Sequence, residues 1–332
     1  MNRNWAKEAV RDDVVAFFTR WTEASDIPQV KFLKWLGLAK GRFRAWVIRA
    51  GLPNQHNGSM SKKHWLEGWE VEAVKNYAIQ HPDDGYRRLS YMMLDADIVA
   101  ASPSSVYRVL KIAGLLNRNK GKPSKKGTGF VQPTRPHEHW HTDISFIRIG
   151  ASFYCLISVL DGYSRAIVHW ELREKMTRQD VLLVIERARE KYPEAKGVRI
   201  ISDNGGQYTC REFASYLALC GMTHARTSPY YPQSNGKIER FHQSIKTEGI
   251  HPNSPVSMED ARRIIGRYIE YYNTLRLHSA IGYVAPKDKL DGREPIIFAE
   301  RKRKLAEAAR RRTLALQNLS TEPLKMAVGS IE

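Results

Sequence analysis

Apolar residues recur at helical spacing through the first 115 residues. The stretch DDVVAFFTRW places them three or four positions apart. The stretch PQVKFLKWLGLAKGRFRAWVIRAGLP predicts a helix, a turn around Gly37 and a second helix that ends near Gly51. A second pair of helices is predicted in GYRRLSYMMLDADIVAASPSSVYRVLKIAGLL, with Ser102 as the N-cap and Pro103 in the first turn. The N-terminal region is therefore predicted to be all-α.

The pattern changes at Trp140, where alternating and β-branched residues predict strands. The segments HTDISFIRI, SFYCLISVLD and RAIVHWEL are joined by short turns and predict an antiparallel meander. A helix with Thr177 as its N-cap follows, then the strand GVRIIS, the helix CREFASYLALCG, the strand MTHARTS and a helix in SNGKIERFHQSIK. This order predicts an α/β core, a mixed five-stranded sheet with helices on both faces.

Charge is distributed unevenly along the 332 residues. Lys and Arg number 53 against 35 Asp and Glu, so the formal net charge is +18. Residues 1–137 contain 23 basic and 12 acidic residues, whereas residues 138–292 contain 21 and 18, and residues 293–332 contain 9 and 5. A basic arm on a nearly neutral body predicts a polyanionic partner that the arm holds. On composition alone, a basic protein without such a partner remains the alternative.

The two helix pairs of the arm have the outline of helix-turn-helix units. Small three-helix bundles share that outline, so DNA binding and a plain bundle both remain open. Residues 117–137 contain six basic residues and no acid, and Gly and Pro break any helix there. This segment is predicted to be a solvated linker, a phosphate-tracking linker or both. The candidate DNA-binding residues of the arm and linker are Lys40, Arg42, Arg44, Arg49, Arg108, Lys120, Lys122, Lys125 and Lys126.

Cysteine spacing and hydropathy limit the class of protein. Cys155, Cys210 and Cys220 form no paired metal-ligand spacing, which favours reduced core thiols. No apolar run has the length of a membrane span, and the first residues lack the apolar core of a signal peptide. A cytoplasmic location without membrane association is predicted.

Three carboxylates stand at ends of predicted elements. Asp143 lies in the first strand, Asp203 directly follows a strand in SDNGGQY, and Glu239 lies in the first turns of a helix, with 35 residues between Asp203 and Glu239. Strand ends and a neighbouring helix can converge on one site. Three converging carboxylates repel each other unless cations neutralise them. Two Mg²⁺ ions roughly 3.5–4 Å apart, with Mn²⁺ as an alternative, would suit such ligands and a phosphodiester substrate. The alternative for each acid is a solvated surface group.

Two further segments have open alternatives. Tyr268, Tyr271 and Tyr272 recur at helical spacing, which favours core packing over a platform for nucleotides. Arg276 and His278 are expected to serve in packing or phosphate contact and not in catalysis. The basic helix RKRKLAEAARRR is expected to lie on DNA, on another subunit or in solvent.

The motifs WHTDIS, SDNGGQY, SNGKIERFHQSIK and YYNTLRLHSAIGYVAP together resemble the catalytic core of bacterial insertion-sequence transposases, most closely the insertion-sequence-three family. That core is similar to the core of retroviral integrases. The resemblance covers residues 138–290 strongly and the helical arm more loosely. No cysteine precedes Cys155, so the N-terminal zinc site of retroviral integrases is missing. The resemblance implies an RNase-H-like fold and a metal-dependent DDE strand transferase.

The resemblance also implies roles for individual residues. Asp143 would bridge two metal ions, Asp203 would hold one and Glu239 the other. Lys246 matches the family's basic residue after the glutamate, on the same helix face. Three more residues match motif positions near the DNA end, and these are Gln207, Asn235 and Lys237.

The implied activity is DNA transposition in a bacterial cytoplasm, in association with the nucleoid. The protein would bind double-stranded DNA at the inverted-repeat ends of a mobile element, cleave one strand by hydrolysis and join the 3′-hydroxyl to target DNA. Holding two ends together implies a homo-oligomer, at least a dimer. The alternatives are an RNase-H-like nuclease without strand transfer and a domesticated DNA-binding protein with an inactive core.

Five regions are predicted along the chain. Residues 1–60 form a helix-turn-helix domain, residues 61–116 a second such domain, and residues 117–137 a basic linker. The catalytic core spans residues 138–292, and a basic helical tail spans residues 293–332.

Overall fold

The computed structural model describes residues 8–25, 27–52, 65–116, 131–227 and 235–328, with side chains up to residue 316. The chain divides into two compact units, residues 1–63 and residues 64–332. The predicted linker residues Lys120, Lys122, Lys125 and Lys126 lie outside the described residues. The predicted domain boundaries stay predictions.

The first unit contains three helices, α1 (Glu8–Ala24), α2 (Gln29–Trp35) and α3 (Lys40–Ile48). They pack around the buried side chains of Phe18, Phe32, Leu33 and Phe43. Gly37 has φ +62° in the connection between α2 and α3. Glycine adopts this left-handed backbone without the steric cost of a Cβ. The predicted helix, turn and helix are therefore present.

The second unit begins with another three-helix bundle. Helices α4 (Gly68–Gln80), α5 (Tyr86–Asp95) and α6 (Pro103–Ile112) surround a core that includes Val74, Leu89 and Val106. Ser102 caps α6, since its hydroxyl accepts a hydrogen bond from the Ser105 amide at 3.3 Å. This N-cap and the proline that follows it confirm the predicted helix start.

A five-stranded sheet lies at the centre of the remaining chain. Its strands are β1 (His139–Ile149), β2 (Ser152–Asp161), β3 (Ile167–Arg173), β4 (Arg199–Ser202) and β5 (Thr223–Arg226). The spatial order is β3-β2-β1-β4-β5. The first three strands form the antiparallel meander, while β4 runs parallel to β1 and β5 parallel to β4. The predicted mixed sheet is confirmed.

Helices cover the sheet and complete two apolar clusters. Helices α7 (Arg178–Lys191), α8 (Gly206–Thr209) and α9 (Arg211–Leu219) contribute to a cluster around Trp140. Helices α10 (Gly236–Ser244) and α12 (Met258–Thr274) contribute to a second cluster that includes Phe241 and Tyr272. A π-helical segment (Ile245–Ile250) and the short α11 (His251–Asn253) extend α10 without a break. The sheet thus has two packed faces, as the pattern of the sequence predicted.

The chain ends in a short helix α13 (Pro286–Leu290) and a long helix α14 (Glu294–Val328). Arginines of α14 reach into the α4–α6 bundle. Arg312 donates to both carboxylate oxygens of Glu70 at 2.8 and 2.9 Å, and Arg301 donates to both oxygens of Asp95 at 2.8 and 2.6 Å. The predicted basic tail therefore includes two arginines that are buried inside the unit and unavailable to DNA or solvent.

Further observations concern the thiols, the tyrosines and membrane association. All three cysteines are free, and Cys155 is buried in the sheet. Tyr268 and Tyr272 are buried, which confirms their core role, whereas Tyr271 is 39% exposed. In the described ranges, no helix combines the length and the apolar composition that crossing a bilayer requires.

Candidate active site

Asp143 lies in the middle of β1, directly opposite Ser158 of β2. One carboxylate oxygen, Oδ1, accepts the backbone amide of Ile144 at 2.9 Å. The other, Oδ2, lies 3.4 Å from Nδ1 of His242. The Asp143 side chain is 19% exposed. It is therefore held by the Ile144 amide, lies beside the imidazole of His242 and remains accessible to a ligand.

Asp203 follows immediately after β4, the strand that runs parallel to β1. Its Oδ1 accepts the amide of Gly205 at 3.0 Å. A Cβ added to Gly205 would lie 2.4 Å from the side-chain nitrogen of Gln207. The end of the Gln207 side chain therefore packs against the backbone at Gly205. The predicted role of Gln207 in DNA binding stays a prediction.

Glu239 lies in the first turn of α10. The segment that leads into this helix, residues 228–234, is outside the described residues. Ile238, Phe241 and Ile245 are buried and fasten the helix to the sheet. Burial raises the pKa of Glu239, and the nearby negative charge of Asp143 raises it further. The two carboxylates are thus close enough to repel each other.

Tyr208 connects the remaining pair of acids. Its buried hydroxyl lies 3.3 Å from the hydroxyl of Thr142. Burial raises the pKa of Tyr208, and the charges of Asp143 and Asp203 raise it too. The charge of Asp143 therefore acts on Glu239, and the charges of Asp143 and Asp203 both act on Tyr208.

The three carboxylates do not form a closed metal-binding cluster. Within the part of the chain that the structure describes, no group of three His, Cys, Asp or Glu side chains is placed to hold a metal ion. Two of the carboxylates accept local amides instead, Asp143 from Ile144 and Asp203 from Gly205. A shared cation would have to compete with these donors. The donor chemistry itself fits Mg²⁺, which prefers carboxylate oxygens, and a cation would relieve the repulsion between Asp143 and Glu239.

His242 was not predicted from the sequence. Its side chain is 6% exposed. The ring contacts one residue on each of two paired strands, with Nδ1 next to Asp143 of β1 and Nε2 3.3 Å from Oγ of Ser158 of β2. It lies three residues after Glu239, one turn along the same helix face. That spacing was the available signal, but a lone histidine on an amphipathic helix is equally typical of core packing.

Asn235 and Lys237 have internal partners. Lys237 donates to the carbonyl of Gly162 at 3.0 Å, and its burial, with the charge of Arg165, lowers its pKa to about 7. Asn235 is 3% exposed and donates to the carbonyl of Thr142 at 3.4 Å. Both side chains thus donate to backbone carbonyls inside the core, and their contact with DNA stays a prediction.

The remaining predicted DNA-binding residues differ in exposure. Lys246 lies in the π-helical segment, seven residues after Glu239, and is half-buried. The exposed residues are Lys40, Arg42, Arg44 and Arg49 at α3 and Arg108 on α6. Exposure is necessary for phosphate contact, but it does not distinguish this role from a solvated surface.

The segment after α12 stabilises the core. Arg276 donates to both oxygens of Glu248 at 2.7 and 2.6 Å, and Tyr268 donates to the same carboxylate at 2.9 Å. Burial lowers the pKa of His278 to about 3, with further contributions from nearby arginines. Arg276 is therefore held within the core, one of the two roles predicted for it, whereas phosphate contact by Arg276 and His278 stays a prediction.

Comparison with known proteins agrees with this arrangement. An integrase core domain model matches residues 133–232, and a second integrase core domain model matches residues 220–286. The chain therefore has the fold of an integrase-core protein, with a mixed five-stranded sheet flanked by helices.

Individual relatives define the family. The transposase for insertion sequence element IS904 of Lactococcus lactis is 31% identical over 178 residues, which cover 50% of this chain and 69% of that protein. Transposase InsF for insertion sequence IS3A of Escherichia coli is 29% identical over 153 residues, or 46% of this chain and 53% of that protein. This chain belongs to the insertion-sequence-three (IS3) family of transposases.

A solved structure of the HTLV-2 integrase catalytic core domain in complex with magnesium also matches, with a TM-score of 0.38 and 19% identity. The match covers 47% of this chain and 98% of that one. At this score the family assignment depends on the sequence matches.

Proposed function

We propose that this chain is a metal-dependent DNA transposase. It would bind the ends of a mobile element, cleave one strand by hydrolysis and join the 3′-hydroxyl to another phosphodiester. The observation that carries the proposal is the placement of three carboxylates. Asp143 lies in β1, Asp203 follows the adjacent parallel strand β4, and Glu239 lies on the helix packed beside them.

The carboxylates would act as ligands. Asp143 would lie between two cation positions, with Asp203 completing one and Glu239 the other. Bound Mg²⁺ would supply Lewis-acid stabilisation of the charge that develops on the reacting phosphodiester. The mutual influence of Asp143 and Glu239 supports this assignment, since closely placed carboxylates favour cation binding.

Other residues of the chain would position these ligands and the DNA. His242 would hold the orientation of Asp143 through Nδ1, and Ser158 would hold the ring through Nε2. Lys246 lies two helical turns beyond Glu239 and would contact a phosphate next to the reacting one. These groups bind and orient, so they lower the cost of bringing the phosphodiester to the carboxylates.

Recognition of the element ends would involve the arm. The exposed guanidinium groups of Arg42 and Arg44 on α3 can reach phosphates or base edges of double-stranded DNA. The catalytic core, in contrast, is nearly neutral outside its site. Because two ends must be held together for transposition, the active form would contain at least two copies of the chain.

Strand cleavage and joining on a defined duplex would test this function. Duplexes with the terminal inverted repeats that flank the gene would be incubated with the full chain and Mg²⁺, and labelled strands separated on a denaturing gel. We expect nicked strands and longer, joined strands. Asp143→Asn should abolish both products, whereas Glu270→Gln, a change at an exposed carboxylate of α12, should leave them unchanged.

The alternatives give different products. Nicked strands without joined strands would identify a nuclease that only hydrolyses. Binding of the ends without cleavage by the unaltered chain would identify a DNA-binding protein with an inactive core.

A further inference from the structure

The hairpin formed by β1 and β2 continues past Asp143 as a two-stranded extension. β1 pairs with β4 only through His139, Trp140 and His141, whereas it pairs with β2 as far as Ile149. Among the described residues, the side of β1 opposite β2 therefore has no strand partner beyond Asp143. Side chains of this extension border a cleft of about 510 Å³.

Two aromatic rings are exposed on this extension. Phe146 is 51% exposed and Phe153 is 61% exposed. These are the highest values for any phenylalanine in the described part of the chain. Phe153 pairs directly with Arg148, two residues from Phe146, so the three side chains lie on one face of the hairpin. Exposed aromatic rings grouped in this way indicate a binding surface.

The same cleft has positive charge on both sides. Arg148 lies on the hairpin, while Lys246 lies on the helical segment that continues α10. None of the residues lining the cleft is a carboxylate. In the described residues, neither Arg148 nor Lys246 forms an ion pair. The charge of this surface therefore complements an anion.

The cleft is formed by the same strand and the same helical rod that carry two of the proposed ligands, although its lining includes neither Asp143 nor Glu239. Asp143 and Phe146 lie three residues apart on β1. Glu239 and Lys246 lie seven residues apart on the helical rod that forms the opposite wall. Side chains three positions apart on a strand lie on opposite faces of the sheet, so a DNA strand that leaves the carboxylates would reach the rings around the open edge of β1.

Aromatic rings next to cations are typical of surfaces that bind unpaired nucleotides, because bases stack on the rings while phosphates contact the cations. We propose that Phe146 and Phe153, together with Lys246 and Arg148, form a binding site for unpaired nucleotides of a DNA strand beside the active site. This inference rests on the proposed transposase function. It adds that the substrate has unpaired bases next to the reacting phosphodiester, which a blunt duplex lacks.

Binding of two probes to the full chain tests the proposal. One probe is a fluorescein-labelled duplex with about five unpaired nucleotides at one end, and the other is the same duplex with blunt ends. Fluorescence anisotropy gives both dissociation constants. The unaltered chain should bind the extended duplex more tightly. The variant with both Phe146→Leu and Phe153→Leu should lose about fivefold or more in affinity per ring for the extended duplex only.

Matched variants separate stacking from general effects. Leucine keeps an apolar side chain, whereas the variant with Phe146→Tyr and Phe153→Tyr keeps the rings and should bind like the unaltered chain. Leu219→Ala removes another exposed apolar side chain, on α9 and outside the cleft, and should change neither constant. Thermal unfolding of each variant verifies that it is folded.

Crosslinking can locate the bound nucleotides on the unaltered chain, without any substitution. A 5-iodouracil in the unpaired extension should crosslink on irradiation to the tryptic peptide that contains Phe146 or Phe153, as mass spectrometry would show.

Several outcomes would overturn the proposal. These are an equal loss for both probes, no loss for either probe, crosslinks that lie elsewhere, or a change in oligomeric mass with unchanged binding. The last result would show that a second copy of the chain covers the rings. These experiments measure binding, so they test the nucleotide site even if the unaltered chain neither cleaves nor joins DNA. Absence of cleavage and joining would instead refute the proposed function.

Discussion

Nδ1 of His242 lies 3.4 Å from Oδ2 of Asp143, and the opposite nitrogen of the same ring lies 3.3 Å from Oγ of Ser158. The Asp143 carboxylate and the Ser158 hydroxyl come from paired positions of β1 and β2, and the imidazole comes from α10. The contact fixes how the helix with Glu239 sits on the strand with Asp143. It therefore links the geometry of the proposed ligands to a buried side chain with no ligand role of its own.

Replacement of His242 should slow the reaction without weakening DNA binding. His242→Leu removes the partner of Asp143, so we expect strand cleavage to slow by about 10–100-fold, the usual range for loss of a group that orients a ligand. His242→Gln, which retains a hydrogen-bond donor, should recover part of the rate. Single-turnover cleavage rates and dissociation constants for an end duplex would be measured together. Equal rates for the leucine variant and the unaltered chain would contradict a positioning role.

Glu239→Gln should abolish most of the activity. The amide has nearly the same shape but lacks the charge that attracts a cation, so we expect a loss on the order of 100-fold or more in cleavage and joining. Glu270→Gln serves as the matched control. A Glu239→Gln variant that still joined strands at a normal rate would show that Glu239 is an ordinary surface acid.

Removal of divalent cations should separate binding from chemistry. Excess chelator should eliminate cleavage, while binding to element ends through the arm persists, because the arm is predicted to use Lys and Arg side chains. Added Mg²⁺ should restore cleavage, and Mn²⁺ should substitute. Cleavage that continued undiminished in chelator would refute the assignment of Asp143, Asp203 and Glu239 as metal ligands.

Substitutions on α3 should reduce both affinity and its salt dependence. Arg42→Ala combined with Arg44→Ala removes two exposed cations, so the slope of log affinity against log salt should become less steep by about 0.9 for each lost phosphate contact. End and scrambled duplexes titrated at two salt concentrations would give the slopes. Arg20→Ala on α1 is the control. Unchanged affinity and slope in the double variant would place DNA recognition elsewhere in the chain.

The buried ion pair of Glu70 and Arg312 should make a large contribution to the stability of the packing between α14 and the α4–α6 bundle. Arg312→Met leaves a fully buried carboxylate with Arg311 as its remaining arginine partner. We expect the free energy of unfolding to fall by about 3 kcal/mol, since the buried carboxylate loses its buried partner and keeps only the half-exposed Arg311. Arg303→Met, at an exposed residue that pairs within α14 itself, should have little effect. Chemical denaturation of both variants measures the difference, and equal stabilities would contradict the attachment.

The same pair predicts a pH dependence. Burial raises the pKa of Glu70, but the hydrogen bonds from Arg312 and the Glu67 amide, together with the charges of Arg312 and Arg311, outweigh it, and the pKa is lowered from 4.5. The stabilisation is therefore present above about pH 4.5 and is lost as the pH falls through the lowered folded-state pKa. As the pH falls through this range, the free energy of unfolding should decrease more for the unaltered chain than for the Glu70→Gln variant. Parallel losses in the two proteins would contradict this assignment.

Much of the fold follows from local patterns in the sequence. Alternation of apolar residues identified β1, β2 and β3, and side-chain chemistry identified Ser102 and Thr177 as helix caps. Both caps accept amide hydrogen bonds from residues three positions on. These features depend on residues that are neighbours along the chain, so the sequence displays them directly. The carboxylates Asp143, Asp203 and Glu239 could be chosen as candidate ligands for a similar reason, since each lies at a recognisable position of one strand or helix.

The tertiary structure alone decided which side chains meet. Glu70 and Arg312 are 242 residues apart, so no local pattern could show that part of the basic tail is buried against the first bundle of its unit. Lys237 looked like a free cation in its motif, yet packing places it against the Gly162 carbonyl and lowers its pKa to about 7, mainly through burial. His242 likewise became a partner of Asp143 only when α10 packed on the sheet. Burial and charge pairing are properties of the packed chain, because desolvation and partner distance exist only after distant segments come together.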